Sequence, residues 1–127
     1  MKNKTVMIAD DEGVMRSLLG MVLKEHGYRE FVYAADGRQA VELIRTGGAA
    51  IGLAFLDIDM PGFSGLDVLA LARERRPGCA CVIVSAHSAV ENVMAAVRGG
   101  AAGFVVKPYS AQRIAEVLDK IERASRP

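Results

Sequence analysis

The chain has 127 residues, of which 51% are hydrophobic and 24% charged, and its formal net charge is +1 at pH 7. That length suits one domain with a sizeable core, and that balance excludes a disordered chain and gives no support for direct nucleic-acid binding, which draws on a strong basic excess. No stretch is long enough to span a bilayer, and the apolar run after Met1 to Lys4 is too short for a signal-peptide core, so no membrane contact is expected and the cytoplasm is the expected location.

Thr5 to Ala9 reads as an apolar strand that ends in Asp10, Asp11 and Glu12. Val14 to Glu25 follows with apolar residues at 14, 15, 18, 19 and 22, a helical stripe, and His26-Gly27 closes it, with His26 at the surface. Met21 and Leu23 widen the apolar face, which reads as generous packing before it reads as a partner surface. Tyr28 to Ala35 is a second strand. Asp36-Gly37 then caps a helix running through Arg45, with Val41, Leu43 and Ile44 as its apolar side and Gly47-Gly48 at its end. Leu53 to Asp57 is a short apolar run ending in a carboxylate, as in a strand buried on both faces, and Pro61-Gly62 turns the chain beyond it. Gly65 to Arg76 is a third helix, with Leu66, Leu69 and Ala70 inward and Arg73, Glu74, Arg75 and Arg76 outward, broken by Pro77-Gly78.

Cys79 to Ser85 is strand four. Its two cysteines stand two apart on one face, too close along the chain for an easy disulfide and too few for zinc, so they read as buried residues of a reduced protein. Ala89 to Arg98 is helix four, with Val90, Met94 and Val97 read as core, stopped by Gly99-Gly100. Ala102 to Val106 is strand five, ending at Lys107-Pro108, and Ser110 caps a last helix with apolar positions 111, 114, 115, 118 and 121. Five strand-helix alternations require parallel pairing and a three-layer α/β sandwich.

What stands at the carboxyl ends of the strands is a chemical set: Asp10 and Asp11, Asp57, Ser85 and Lys107. That edge of an open parallel sheet is where ligands bind. Crowded carboxylates need a positive charge, and oxygen-only ligands with room for water favour Mg²⁺ over Ca²⁺. A lysine suits a phosphate as a point charge, and a serine hydroxyl donates to a phosphoryl oxygen. The combination reads as phosphoryl transfer to Asp57, whose carboxylate is ionised at neutral pH and needs no base.

Asp10-Asp11-Glu12, Leu56 to Gly62, Gly65-Leu66, Val84-Ser85-Ala86 and Val106-Lys107-Pro108 together, in this order and spacing, resemble the receiver domains of two-component response regulators of the chemotaxis-regulator type. The resemblance runs from Val6 to about Ile121. It implies a flavodoxin-like fold with strand order 2-1-3-4-5 and one receiver domain over residues 1–127, either a stand-alone regulator or part of a longer chain. It implies that Asp57 accepts a phosphoryl group from a phosphohistidine on a sensor histidine kinase or phosphotransfer protein, and that Asp10, Asp11, Asp57 and the backbone carbonyl of Asp59 hold Mg²⁺. Lys107 would contact the phosphoryl group, its bond to Pro108 being typically cis, while Ser85 and Phe104 match the switch hydroxyl and switch aromatic. The face made by helix four, strand five and helix five would meet a downstream output domain or protein, or form a phosphorylation-dependent dimer. Such a domain is a signalling phosphoacceptor and not an enzyme.

Four positions depart from the family pattern or colour it. Phe104 lacks the hydroxyl of the commoner tyrosine, so its switch would work by ring burial; Ser64 stands where an acid or asparagine is common. Asp59 and His87, each two residues past a site residue, would tune how long the phosphoryl group survives. A rival from another class is a haloacid-dehalogenase-like phosphohydrolase using Asp57 and Asp59, although that motif normally sits on the first strand and position 61 is proline here. A flavin carrier is a third, disfavoured because clustered carboxylates repel a flavin phosphate.

Overall fold

Alternation of buried apolar runs with amphipathic stretches leaves the chain one way to hide both: strands in the middle and helices on either side. A computed structural model of the chain describes residues 3–47, 50–87 and 89–124. The elements are β1 (Thr5–Ala9), α1 (Gly13–Glu25), β2 (Glu30–Ala34), α2 (Gly37–Thr46), β3 (Ile51–Asp57), α3 (Gly65–Arg75), β4 (Ala80–Ser85), α4 (Val90–Arg98), β5 (Gly103–Val106) and α5 (Ala111–Ala124). All five strands pair in parallel in the order β2-β1-β3-β4-β5. The winding direction reverses between β1 and β3, which opens a crevice at their carboxyl ends.

Alternate strand residues feed two cores. Met7, Ala9, Ala54, Leu56, Cys81 and Ile83 face one side, against Ala40, Val41 and Ile44 of α2 and Val68, Leu69 and Ala72 of α3. Val6, Ile8, Leu53, Phe55, Val82 and Val84 face the other, against Leu19, Val22 and Leu23 of α1 and Ile114, Val117, Leu118 and Ile121 of α5. Every residue of β3 is buried, and each fully buried aliphatic side chain there contributes about 1.5–3 kcal/mol. Both cysteines are free and buried, as the sequence led us to expect.

Several sequence expectations need correction. On α1 the core face is Leu19, Val22 and Leu23, whereas Val14 is 80% exposed and Leu18 and Met21 are exposed with it. With apolar residues on two faces of one helix, the stripe allows two phases, and the sheet takes the one shifted by a residue. On α3 Val68 and Ala72 point inward and Ala70 is exposed. The expected core positions of α4 are exposed: Val90 and Val97 at 68% each, Met94 less so, while Ala96 is buried. On α5 Ala111 is exposed and Val117 takes a core position. Tyr28 precedes β2 instead of opening it, because its N–H closes α1 on the Leu23 carbonyl at 3.1 Å; its ring is buried and its hydroxyl donates to Glu122 Oε2 at 2.8 Å. β3 starts two residues earlier than expected, at Ile51. His26 is half-buried, with Nδ1 2.9 Å from the Val22 carbonyl. Gly48, expected at the end of α2, lies outside the described residues.

Candidate functional site

The site is built from three strand ends and the loops they launch. Asp10, directly after β1, is buried, and the turn is fixed around it: its N–H donates to the Ala34 carbonyl at 3.0 Å, its Oδ1 accepts the Glu12 N–H at 2.9 Å, and Arg16 Nη1 donates to its carbonyl. Asp57 closes β3. Its Oδ1 accepts the Asp59 N–H at 3.1 Å, and the next N–H, of Ile58, donates to the Val84 carbonyl at 2.9 Å. Gly65 lets α3 start hard against this loop, since a Cβ there would lie 2.4 Å from the Asp57 carbonyl oxygen. Ser64 has a structural account: its Oγ accepts the Asp67 N–H at 3.2 Å, and Asp67 Oδ2 accepts the Ser64 N–H at 3.0 Å, a reciprocal cap on α3.

Lys107 comes in from the end of β5, its N–H donating to the Ser85 carbonyl at 2.8 Å and its bond to Pro108 cis. Its Nζ lies 2.8 Å from Asp10 Oδ2, 3.1 Å from Glu12 Oε1 and 3.2 Å from Asp57 Oδ2. One ammonium therefore ties the ends of β1, β3 and β5 together. Burial pushes the Asp57 carboxyl upward from the ordinary carboxylate value, opposed by the Asp59 N–H and by the charge of Lys107. Burial alone would lower the Lys107 ammonium, but its hydrogen bonds to Asp10 and Glu12 and the charge of Asp57 outweigh that and raise it. Tyr109, half-buried beside this cluster, is pushed up to about 12 by burial and by the negative charge of Asp10.

Asp10, Asp11 and Glu12 each offer a carboxylate oxygen, all within 4.8 Å of one another, so these three can hold a cation together. Asp57 stands across Lys107 from them. Three carboxylates, of Asp10, Glu12 and Asp57, meet one ammonium, with Asp11 beside Asp10 and Glu12, and such an all-oxygen donor set fits a hard divalent ion. The other expected site residues lie around this group. Ser85 is fully buried at the end of β4, and its Oγ accepts the His87 N–H at 3.0 Å; His87 and Asp59 are exposed. Phe104 is half-buried on β5, packed on the α2–α3 side of the sheet, with its carbonyl accepting from Arg113 Nη2 at 3.0 Å. Three participants went unassigned at the level of sequence. Glu12 was visible in the acidic run, Arg16 sits one helical turn beyond it, and Tyr109 carries no local signal because it arrives through the cis turn.

The response regulator receiver domain family matches residues 6–119. The chemotaxis protein CheY of Thermotoga maritima is 31% identical over 120 residues, spanning 94% of this chain and 98% of that protein. The chemotaxis protein CheY of Pseudomonas aeruginosa is 30% identical over 118 residues, 91% of this chain and 94% of that one. Among solved structures, the CheX-CheY-BeF3-Mg+2 complex from Borrelia burgdorferi superposes with a TM-score of 0.85 at 27% identity, covering 98% of this chain and 90% of that one. Neither the phosphohydrolase nor the flavin-carrier alternative finds support in these likenesses. Fold, strand-end chemistry and kinship agree: the chain belongs to the response regulator receiver domain family and is a receiver of two-component signalling.

Proposed function

We propose that Asp57 is the phosphoacceptor, taking its phosphoryl group from a phosphohistidine on a sensor histidine kinase or phosphotransfer protein in the cytoplasm, with residues 1–127 acting as one receiver domain. The observation that carries this is Lys107 Nζ held between Asp10 and Asp57 at the mouth of the crevice. In the step itself the phosphorus–nitrogen bond of the donor breaks as a bond to an Asp57 carboxylate oxygen forms, and the imidazole leaves with a proton. Asp10, Asp11 and Asp57, with the backbone carbonyl of Asp59, would hold Mg²⁺, and the Glu12 carboxylate is a further oxygen in reach of Asp10 and Asp11. When bound, such an ion neutralises charge on the transferring group.

The chain's own residues do the rest. Lys107 can move its contact from Asp57 to a phosphoryl oxygen while keeping Asp10 at 2.8 Å, so the cluster need not be rebuilt. The Ser85 hydroxyl, now an acceptor for the His87 N–H, is the group that turns toward the phosphoryl, and Phe104 follows by burying its ring. Asp59 and His87 flank the acceptor and set its lifetime by governing the approach of water; an unchanged phosphoryl half-life in both Asp59→Asn and His87→Ala would sink that role. Exposed Val90, Met94 and Val97 on α4, with Val106 on β5, supply apolar surface for a downstream output domain or protein, or for a phosphorylation-dependent dimer. Transfer is stoichiometric and self-directed, not catalytic turnover.

The test is intact-mass analysis after incubation with acetyl phosphate and Mg²⁺. One phosphoryl adduct is expected, absent in Asp57→Asn and in chelator. Steady hydrolysis of a phosphomonoester such as p-nitrophenyl phosphate, with no adduct, would instead mark a phosphohydrolase.

A further inference from the structure

Arg16 stands where a cation is least expected. It belongs to the first turn of α1, near the positive end of the helix dipole, and just past three acids that can hold a metal ion. A positive charge there opposes the dipole and repels the ion. Nor does Arg16 pair with those acids: among the described residues the ion pairs are on Lys107, Arg113 and Arg123. Its side chain instead leans toward the amino end of the helix, as long helical side chains do, with Nη2 3.5 Å from where a Gly13 Cβ would stand. Its Nη1 donates to the Asp10 carbonyl.

That carbonyl matters for the residue after it. A peptide unit is planar, so fixing the Asp10 oxygen fixes the Asp11 N–H and the backbone that enters Asp11. On the other side the Glu12 N–H donates to Asp10 Oδ1 at 2.9 Å, which fixes the backbone that leaves it. Asp11 therefore sits between two anchored peptides. Its neighbours have direct holds as well: Asp10 Oδ2 lies 2.8 Å and Glu12 Oε1 3.1 Å from Lys107 Nζ. The Asp11 carboxylate is exposed and has no hydrogen-bond or ion-pair partner among the described residues, so the backbone sets where it points.

We infer that Arg16 is a positioning residue of the cation site: by holding the Asp10 carbonyl it aims the Asp11 carboxylate at the point where the three acids converge. The inference rests on the reading that these acids bind Mg²⁺. A guanidinium suits the task, being always charged, weakly hydrated and rigid in its donor geometry. Groups that orient metal ligands are typically worth 10–100-fold in metal affinity. Charge and geometry act here with opposite signs. Removing a neighbouring positive charge alone should tighten Mg²⁺ binding, whereas losing the hold on the Asp10 carbonyl should weaken it.

The experiment is a ¹H–¹⁵N NMR titration of the full chain with MgCl₂ at pH 7 and constant ionic strength, with urea unfolding in chelator beside it. Arg16→Met and Arg16→Gln remove the charge and keep an unbranched stem and good helix propensity. Both variants should bind Mg²⁺ about tenfold more weakly than the parent. Before any metal is added, their amide shifts should differ from the parent's most at Asp11 and Glu12. Equal or tighter binding in both variants would overturn the inference. So would a lower urea midpoint with unchanged Mg²⁺ affinity, the mark of a merely structural contact. A parent without saturable binding would overturn the metal reading along with this one. A parent that binds Mg²⁺ yet forms no adduct at Asp57 would sink the phosphoacceptor reading and leave the role of Arg16 to be decided by the two affinities.

Discussion

Lys107→Met is the sharpest probe of how the site is held together. The substitution keeps the apolar stem and removes the one ammonium shared by Asp10, Glu12 and Asp57. The Asp10 and Asp57 side chains are only 7% and 5% exposed, so neither can recover its counter-charge from water. Breaking a buried ion pair from one side costs about 3–5 kcal/mol. Glu12, 61% exposed, adds no more than about 1 kcal/mol. Freeing the lysine from its own desolvation offsets part of this, which leaves a loss of about 3 kcal/mol at pH 7 without divalent cations. With an unfolding entropy of about 2.1 cal/mol/K per residue over 127 residues, the midpoint should fall by about 10 °C. Thermal unfolding followed by circular dichroism, with and without Mg²⁺, measures it. The gap should narrow as pH falls into the carboxylate range, because a neutral carboxyl needs no counter-charge, and narrow again with Mg²⁺. A variant as stable as the parent at pH 7 in chelator would refute the claim that the ammonium offsets the repulsion between Asp10 and Asp57.

The remaining expectations concern stability and shape. Tyr28 and Tyr109 are both raised in the fold by burial, and Lys107 is raised by its carboxylates. Each favours its protonated form when folded, so each contributes stability that is whole below the unfolded value, near 10.0 for the tyrosines and 10.5 for the lysine, and is lost as pH rises through the folded one. Urea midpoints should therefore drop above pH 10, and less steeply in Tyr28→Phe; an identical slope would remove Tyr28 from the account. Gly65→Ala should destabilise the chain and displace the Asp57 loop, since its Cβ would sit 2.4 Å from the Asp57 carbonyl oxygen, and NMR shifts confined to α3 would contradict this. Val97→Ser on α4 should change stability by less than about 0.5 kcal/mol, whereas Ile114→Ala on α5 should cost about 2–5 kcal/mol, both read by urea unfolding.

The strands were legible because each is a nearly unbroken apolar run, and a parallel sheet covered on both faces wants nothing else. Asp10, Asp57, Ser85 and Lys107 were legible because a polar residue ending such a run has one place to be, at the carboxyl edge. Helix phase was harder. α1 carries Val14, Leu18 and Met21 beside Leu19, Val22 and Leu23, and periodicity alone does not say which set meets the sheet. α4 misled for the opposite reason: Val90, Met94 and Val97 make a clean stripe, yet that stripe faces solvent. Two side-chain pairings between distant segments left no trace in the sequence. Tyr28 with Glu122 spans 94 residues, and Lys107 with Glu12 spans 95.

The central claim, that Asp57 and no neighbouring acid receives the phosphoryl group, is tested most directly by trapping. After reaction with acetyl phosphate and Mg²⁺, borohydride reduces an aspartyl phosphate to homoserine, and peptide mapping then locates the altered residue. Homoserine at position 57 alone is the expected result. Homoserine at 10, 11 or 59, a reduced Glu12, or an adduct that survives in Asp57→Asn would contradict the account.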